Sequence, residues 1–288
     1  MVMIFLILAI ICSCIVSLGF KISARVGADQ DRILPVCYLT AFVLSILSQI
    51  LRDPAAALAA LQQITFPIVL CAAALGFFLS WNLYLTKVNN HLNGLGVATF
   101  FTRLGFLPCL FLSMLVWGDI PSIVQSVGIV ILLFAMYLMM SNQSSHSGNI
   151  PMLIILLISS AGIEFFNNLF SKDFPSELNS MFISIMYIFA FITSLVIDLM
   201  KAEQPLRFTK KDIAIGMFIG APNFGCNISK LMSLSTISAT IALPTIAASN
   251  IIIIAIISSL VYREKMTAKK GVALVLAVFS MFLIDANL

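Results

Sequence analysis

Apolar stretches of about twenty residues alternate with short polar breaks along the whole chain. A bilayer core takes about 20 apolar residues per helix. Ten stretches meet that measure: 2–20, 33–51, 66–87, 93–117, 121–140, 151–170, 180–200, 212–230, 237–262 and 267–286. The pattern predicts an all-α integral membrane protein of ten transmembrane helices. The breaks hold residues that stop helices, as in Arg52-Asp53-Pro54, Gly118-Asp119-Ile120-Pro121 and Glu203-Gln204-Pro205. The polar stretch 141–150 is the natural linker, and no break is long enough to be a soluble domain.

Composition supports the membrane class. Hydrophobic residues make up 61% of the 288 and charged ones only 10%, against about 25% charged in soluble proteins. The net charge of +4 comes from loop lysines and arginines. No basic stripe marks a soluble surface, so no nucleic-acid partner is expected. The six cysteines, at 12, 14, 37, 71, 109 and 226, all lie in apolar segments without metal spacing. They read as small helix residues, and neither cofactor nor metal is expected. No basic segment precedes the first apolar run and no small-residue cleavage site ends it, so it reads as a retained helix.

The chain also repeats itself. "LVWGDIPSIVQSVGIVILLFAMYLM" (115–139) aligns without a gap on "LVYREKMTAKKGVALVLAVFSMFLI" (260–284), at an offset of 145. Asp119 then meets Glu264, and the same offset places Asn82 on Asn227. Residues 1–140 and 151–288 are therefore expected to be two five-helix repeats. Five is odd, so the second repeat enters the membrane the opposite way. Inverted repeats are a common plan of secondary transporters. Lysine and arginine counts set the orientation. Twelve of the sixteen lie in the loops after spans 1, 3, 5, 7 and 9, and three on the other side. This places the odd loops in the cytoplasm of a bacterial-type inner (plasma) membrane, with both termini outside.

The paired segments above, together with "GMFIGAPNFGCNISKLMSLSTISATIALPTIAASN" (216–250), resemble the EamA-like ten-helix members of the drug/metabolite transporter (DMT) superfamily. The resemblance covers essentially the whole chain. It implies secondary transport or export of small metabolites, with a central cavity between the halves. It also implies cytoplasmic termini, where the charge count points outward.

One permanent charge stands inside the membrane. Arg103 lies ten residues past the start of the fourth span, roughly 15 Å in at about 1.5 Å per residue. Such a charge costs about 2.5–3.5 kcal/mol on insertion scales, and arginine cannot shed its proton. Glu164 is the acid deepest in a span and is its expected partner, as counter-ion or proton site. Polar residues recur at helical spacing on other spans: Asn167 and Asn168 beside Glu164; Asn223, Asn227 and Lys230; Asn82; Asn250; and Thr99, one turn before Arg103. Interhelical hydrogen bonding is the plain account of any one of them; together they are expected to line a binding site. Pro222 and Pro244 are candidate hinges, and Trp81, Phe77, Phe100, Phe165 and Phe166 a candidate aromatic wall.

The expected function is alternating-access export of a small anionic or zwitterionic substrate, with proton coupling. The alternatives are a flippase of a lipid-linked head group or sugar on the same fold, and a non-transporting assembly subunit. An enzyme is not expected: the chain has no GxxxxGK[ST], HExxH or GxSxG motif, and His91 and His146 read as loop residues.

Overall fold

A computed structural model describes residues 2–140, 149–201, 208–262 and 268–285. These residues are all-helical. Their helices are α1 (Val2–Val26), α2 (Gln30–Arg52), α3 (Pro54–Gln62), α4 (Phe66–Asn93), α5 (Leu95–Arg103), α6 (Phe106–Trp117), α7 (Ile123–Met140), α8 (Ile150–Asp173), α9 (Asn179–Lys201), α10 (Lys210–Leu234), α11 (Ala239–Tyr262) and α12 (Ala268–Asp285). Among the described residues, 7 helical stretches are long and apolar enough to cross a membrane: Met3–Ser23, Gln30–Arg52, Phe66–Asn93, Val97–Trp117, Ile150–Asp173, Ser176–Met200 and Ala239–Ile257.

Three features differ from the sequence expectation. The break after Arg52 holds a further short helix, α3. His91 lies in the last turn of α4, exposed, and not in a loop. The span 93–117 is two helices, because Pro108 has no N–H for the carbonyl of Leu104. That carbonyl takes the N–H of Leu107 at 2.9 Å, and α5 ends at Arg103. Most of the linker, with His146, lies outside the described residues, as does Glu264.

The chain divides into two compact units. The first comprises Met1–Trp81 and Phe166–Thr236, the second Asn82–Phe165 and Ile237–Leu288. Each draws on both halves of the sequence.

In the first unit, α10 packs against α1 and α2, and α2 against α9. Small residues allow the close approach. A Cβ on Gly220 would stand 2.7 Å from the Cys37 carbonyl oxygen, and one on Gly76 2.4 Å from that of Met186. Without aqueous hydrophobic collapse between spans, such backbone contact is a main source of helix association. Ile33, Cys37 and Ile219 are buried where α2 meets α10. A polar seam joins α2 to α9: Ser45 Oγ and Ser184 Oγ are 2.7 Å apart, and Gln49 Nε2 donates to Ser184 Oγ at 2.8 Å. Polar groups away from water need partners, and these helices supply them to each other.

In the second unit, α12 packs against α7 and α11, and α11 also meets α6. Gly128 and Ala273 are the close-packing positions; a Cβ on Gly128 would meet Ile284 Cγ1 at 2.9 Å, and Ala273 is buried. Val127, Val130, Phe134 and Tyr137 are exposed along one side of α7, as are Val272, Val275, Phe279 and Phe282 on α12. Apolar exposure on that scale suits a lipid surround.

Candidate functional site

Arg103, Glu164, Asn82, Thr99, Asn250 and Pro244 belong to the second unit. There α4 carries a ladder of polar side chains at helical spacing, Asn82, Thr86, Asn89 and Asn93. Asn82 Nδ2 donates to Ser160 Oγ of α8 at 2.7 Å, and Asn89 Nδ2 to the Met152 carbonyl at 3.2 Å. Asn93 Nδ2 donates to Asn89 Oδ1 at 2.7 Å, and Asn93 Oδ1 accepts the Asn149 N–H at 2.6 Å. Thr86 Oγ1 lies 3.4 Å from Thr102 Oγ1 of α5. The amides of Asn82, Asn89 and Asn93 are all buried. Gly94, with φ +85°, turns the chain back from α4 into α5, a conformation that suits glycine.

This ladder fixes where Arg103 sits. Helices α5 and α8 both run away from the Asn93–Asn149 end. The break that follows α5 meets α8 two residues past Arg103, where a Cβ on Gly105 would stand 2.4 Å from Ser160 Cβ. From that crossing Arg103 lies back by about 3 Å and Glu164 forward by about 6 Å, at 1.5 Å per residue. Both side chains are half-buried, while Thr99 is exposed. A fixed cation and an acid thus flank one junction of α4, α5 and α8, where a proline has broken the helix. At that junction the Asn82 amide and the Ser160 hydroxyl are bonded to each other; a guanidinium is the kind of group that recognises carboxylate or phosphate by forked hydrogen bonds. Trp117 and Phe165 rings pack nearby on α6 and α8, with centroids 6.0 Å apart.

Asn250 is fully buried in α11. Pro244 lies in the same helix without ending it, and the next residue, Thr245, donates to Asp285 Oδ1 at 2.9 Å.

Asn167, Asn223, Asn227, Pro222 and Trp81 belong to the first unit. There Asn223 and Asn227 are tied to a tyrosine that the sequence reading passed over. Tyr187 of α9 donates its hydroxyl to the Asn223 carbonyl at 2.8 Å and accepts from Asn227 Nδ2 at 2.9 Å. Asn227 Nδ2 also reaches Asn223 Oδ1 at 2.9 Å, and Asn223 Nδ2 reaches Cys37 Sγ at 3.3 Å. The cluster clamps α10 one residue beyond Pro222, so these amides serve their neighbours. The available signal was the isolation of Tyr187 within an apolar span. Asn167 is buried in α8. Trp81 stacks on Phe77 with centroids 5.9 Å apart, and Phe78 on Phe166 at 5.8 Å. Of the expected aromatic wall, Phe77, Trp81 and Phe166 thus fall in the first unit, and Phe100 and Phe165 in the second.

Residues 151–285 match the EamA-like transporter family. The match bears out the resemblance to the DMT superfamily and supports a multi-pass membrane transporter. A solved structure described only as "Crystal structure of protein" superposes with a TM-score of 0.81 at 11% identity, covering 99% of this chain and 97% of that one. At that identity the likeness concerns the fold alone. No curated protein matched the chain. The EamA segment contains Glu164, Asn223, Asn227 and Asn250, whereas Arg103 and its broken helix precede it.

Proposed function

We propose that the protein is a ten-helix secondary transporter that exports a small anionic or zwitterionic metabolite by alternating access. The observation that carries this reading is Arg103: a permanent cation at the end of α5, beside the buried polar ladder of α4. Broken helices at membrane depth occur where a cavity or protein groups satisfy the freed backbone, and transporters place substrate sites there. Arg103 binds the substrate's anionic group. Glu164 neutralises Arg103 when substrate is absent. Thr99 and Asn82 add hydrogen bonds at the same junction.

Two inverted five-helix repeats are part of the proposal. At the offset of 145, α2 pairs with α9, and Gly76 of α4 falls next to Gly220 of α10. Both glycines lie against a backbone carbonyl, on α9 and α2 respectively. Gly128 of α7 falls on Ala273 of α12, and each is a close-packing position. Those coincidences support the repeat. The charge asymmetry supports cytoplasmic odd loops and outward termini in a plasma membrane.

A thermal-shift screen tests the proposal. Detergent-purified wild type and Arg103→Ala are heated with amino acids, nucleotides, sugar phosphates and organic cations. Stabilisation by an anionic class, absent in the variant, is the expected result. Equal stabilisation of both proteins removes Arg103 from the site.

A further inference from the structure

Asp285 is a carboxyl that the Arg103 site does not use. It is the last residue of α12 and is partly buried. Its Oδ1 accepts a hydrogen bond from Thr245 Oγ1 of α11, 2.9 Å away, next to Pro244. The helices packed on α12 offer it no counter-charge. Neither α7 nor α11 contains an Asp, Glu, Lys, Arg or His. Their titratable residues are Tyr137, near the far end of α7, and Tyr262, at the end of α11. Asp119 precedes α7 in sequence, and Gln125, which is neutral, donates to the Ile284 carbonyl at 3.5 Å. Lys269 and Lys270 lie at the other end of α12, more than about 20 Å away at 1.5 Å per residue. The last turn of a helix presents carbonyl oxygens, which do not favour an anion.

The pair is also an addition to the repeat. At the offset of 145, Asp285 falls on Met140, Thr245 on Phe100 and Pro244 on Thr99. At those three positions the first repeat has neither a carboxyl nor a proline. The acid is therefore not a requirement of packing.

We propose that Asp285, with Thr245, is a proton-binding site of this protein, and that the proton is the ion coupled to transport. The coupling rests on the transport reading above; the proton site does not. In the ionised state the Thr245 hydroxyl donates to the carboxylate. A proton taken from water adds to that carboxylate and makes it a donor. Thr245 Oγ1 becomes the acceptor, and its own hydrogen turns to a carbonyl of the preceding turn, the back-bond of a helical threonine. One proton enters, no covalent bond to carbon changes, and the negative charge at the end of α12 disappears. The hydrogen-bond polarity between α11 and α12 reverses with it, beside the proline in α11.

Infrared difference spectroscopy of the purified protein, acid minus alkaline, reads the carboxyl directly through its C=O stretch. Wild type, Asp285→Asn, Thr245→Val, Asp119→Asn and Glu164→Gln are compared. The proposal expects a C=O band lost in Asp285→Asn, shifted in Thr245→Val and kept in the other two. Should Asp285→Asn fail to fold, the Thr245→Val shift decides, because that variant keeps the carboxyl. A band unchanged in both Asp285→Asn and Thr245→Val overturns the proton site. Coupling is read in vesicles with a trapped pH dye: substrate-driven proton movement is expected in wild type and lost in Asp285→Asn. Movement retained in Asp285→Asn overturns the coupling role. A wild type that transports nothing while the band still maps to Asp285 overturns the transport reading and leaves the proton site standing.

Discussion

Gly105→Ala probes the junction at its tightest point. The new Cβ would stand 2.4 Å from Ser160 Cβ, 2.7 Å from the Ser160 carbonyl carbon and 3.0 Å from the Ala161 nitrogen. Ordinary carbon–carbon contact is about 3.5–4.0 Å, so relief requires a displacement of about 1 Å or more. None of these atoms is the free end of a flexible side chain, so the break before α6 and the helix α8 must separate. Overpacking of this kind costs about 1–3 kcal/mol. At about 2–4 °C per kcal/mol for a large domain, the unfolding midpoint falls by about 2–12 °C. Gly271→Ala in α12 is the control: nothing lies within 4 Å of its Cβ, and alanine is favoured over glycine in a helix by up to about 1 kcal/mol. Both variants are measured by thermal unfolding in one detergent, followed by transport at a temperature where both are folded. The expected order is Gly105→Ala below wild type and Gly271→Ala at or above it. Transport by Gly105→Ala should fall further than its folded fraction, because the clash lies two residues from Arg103. Wild-type stability and transport in Gly105→Ala would refute both the packing argument and the placement of the site.

Two further outcomes are expected. Tyr187→Phe removes the donor to the Asn223 carbonyl and one acceptor of Asn227, which keeps Asn223 Oδ1; a loss of about 0.5–1.5 kcal/mol is expected in thermal or denaturant unfolding. Asp212→Ala removes the capping box with Thr209 at the start of α10 and the acceptor of the Asp29 N–H; about 0.5–2 kcal/mol should be lost, with Asp212→Asn losing less, measured as the shift in unfolding midpoint.

Hydropathy alone located the long apolar helices, though not α3, because a bilayer demands the same length of apolar chain wherever it is crossed. It did not locate the end of α5. Pro108 was visible, but its effect falls four residues earlier, on the Leu104 carbonyl, and only the backbone shows which N–H replaces the missing one. Arg103 and Glu164 were legible because charge in an apolar span is rare. Asn223 and Asn227 were legible as a polar stripe, but not their partner: Tyr187 meets them across 36 and 40 positions of sequence, a separation that no periodicity carries. The two compact units were not legible either. Helix patterning says which residues are apolar, not which helix they meet. Asp285 escaped notice because acids at helix ends are common; the neutral sequences of α7 and α11 mark it only once they are known to pack there.

The account turns on Arg103 as the group that holds an anionic substrate. Uptake of radiolabelled anionic and zwitterionic metabolites into vesicles reconstituted with wild type, Arg103→Ala or Arg103→Lys tests this most directly. A hydrogen-bonded charge contributes about 1.5–3 kcal/mol, so saturable transport by wild type should fall about tenfold or more in Arg103→Ala. Arg103→Lys should recover only part of it, since lysine keeps the charge and loses the planar fork. Arg103→Ala protein that is folded, inserted and transports the same compounds at the wild-type rate would contradict the account.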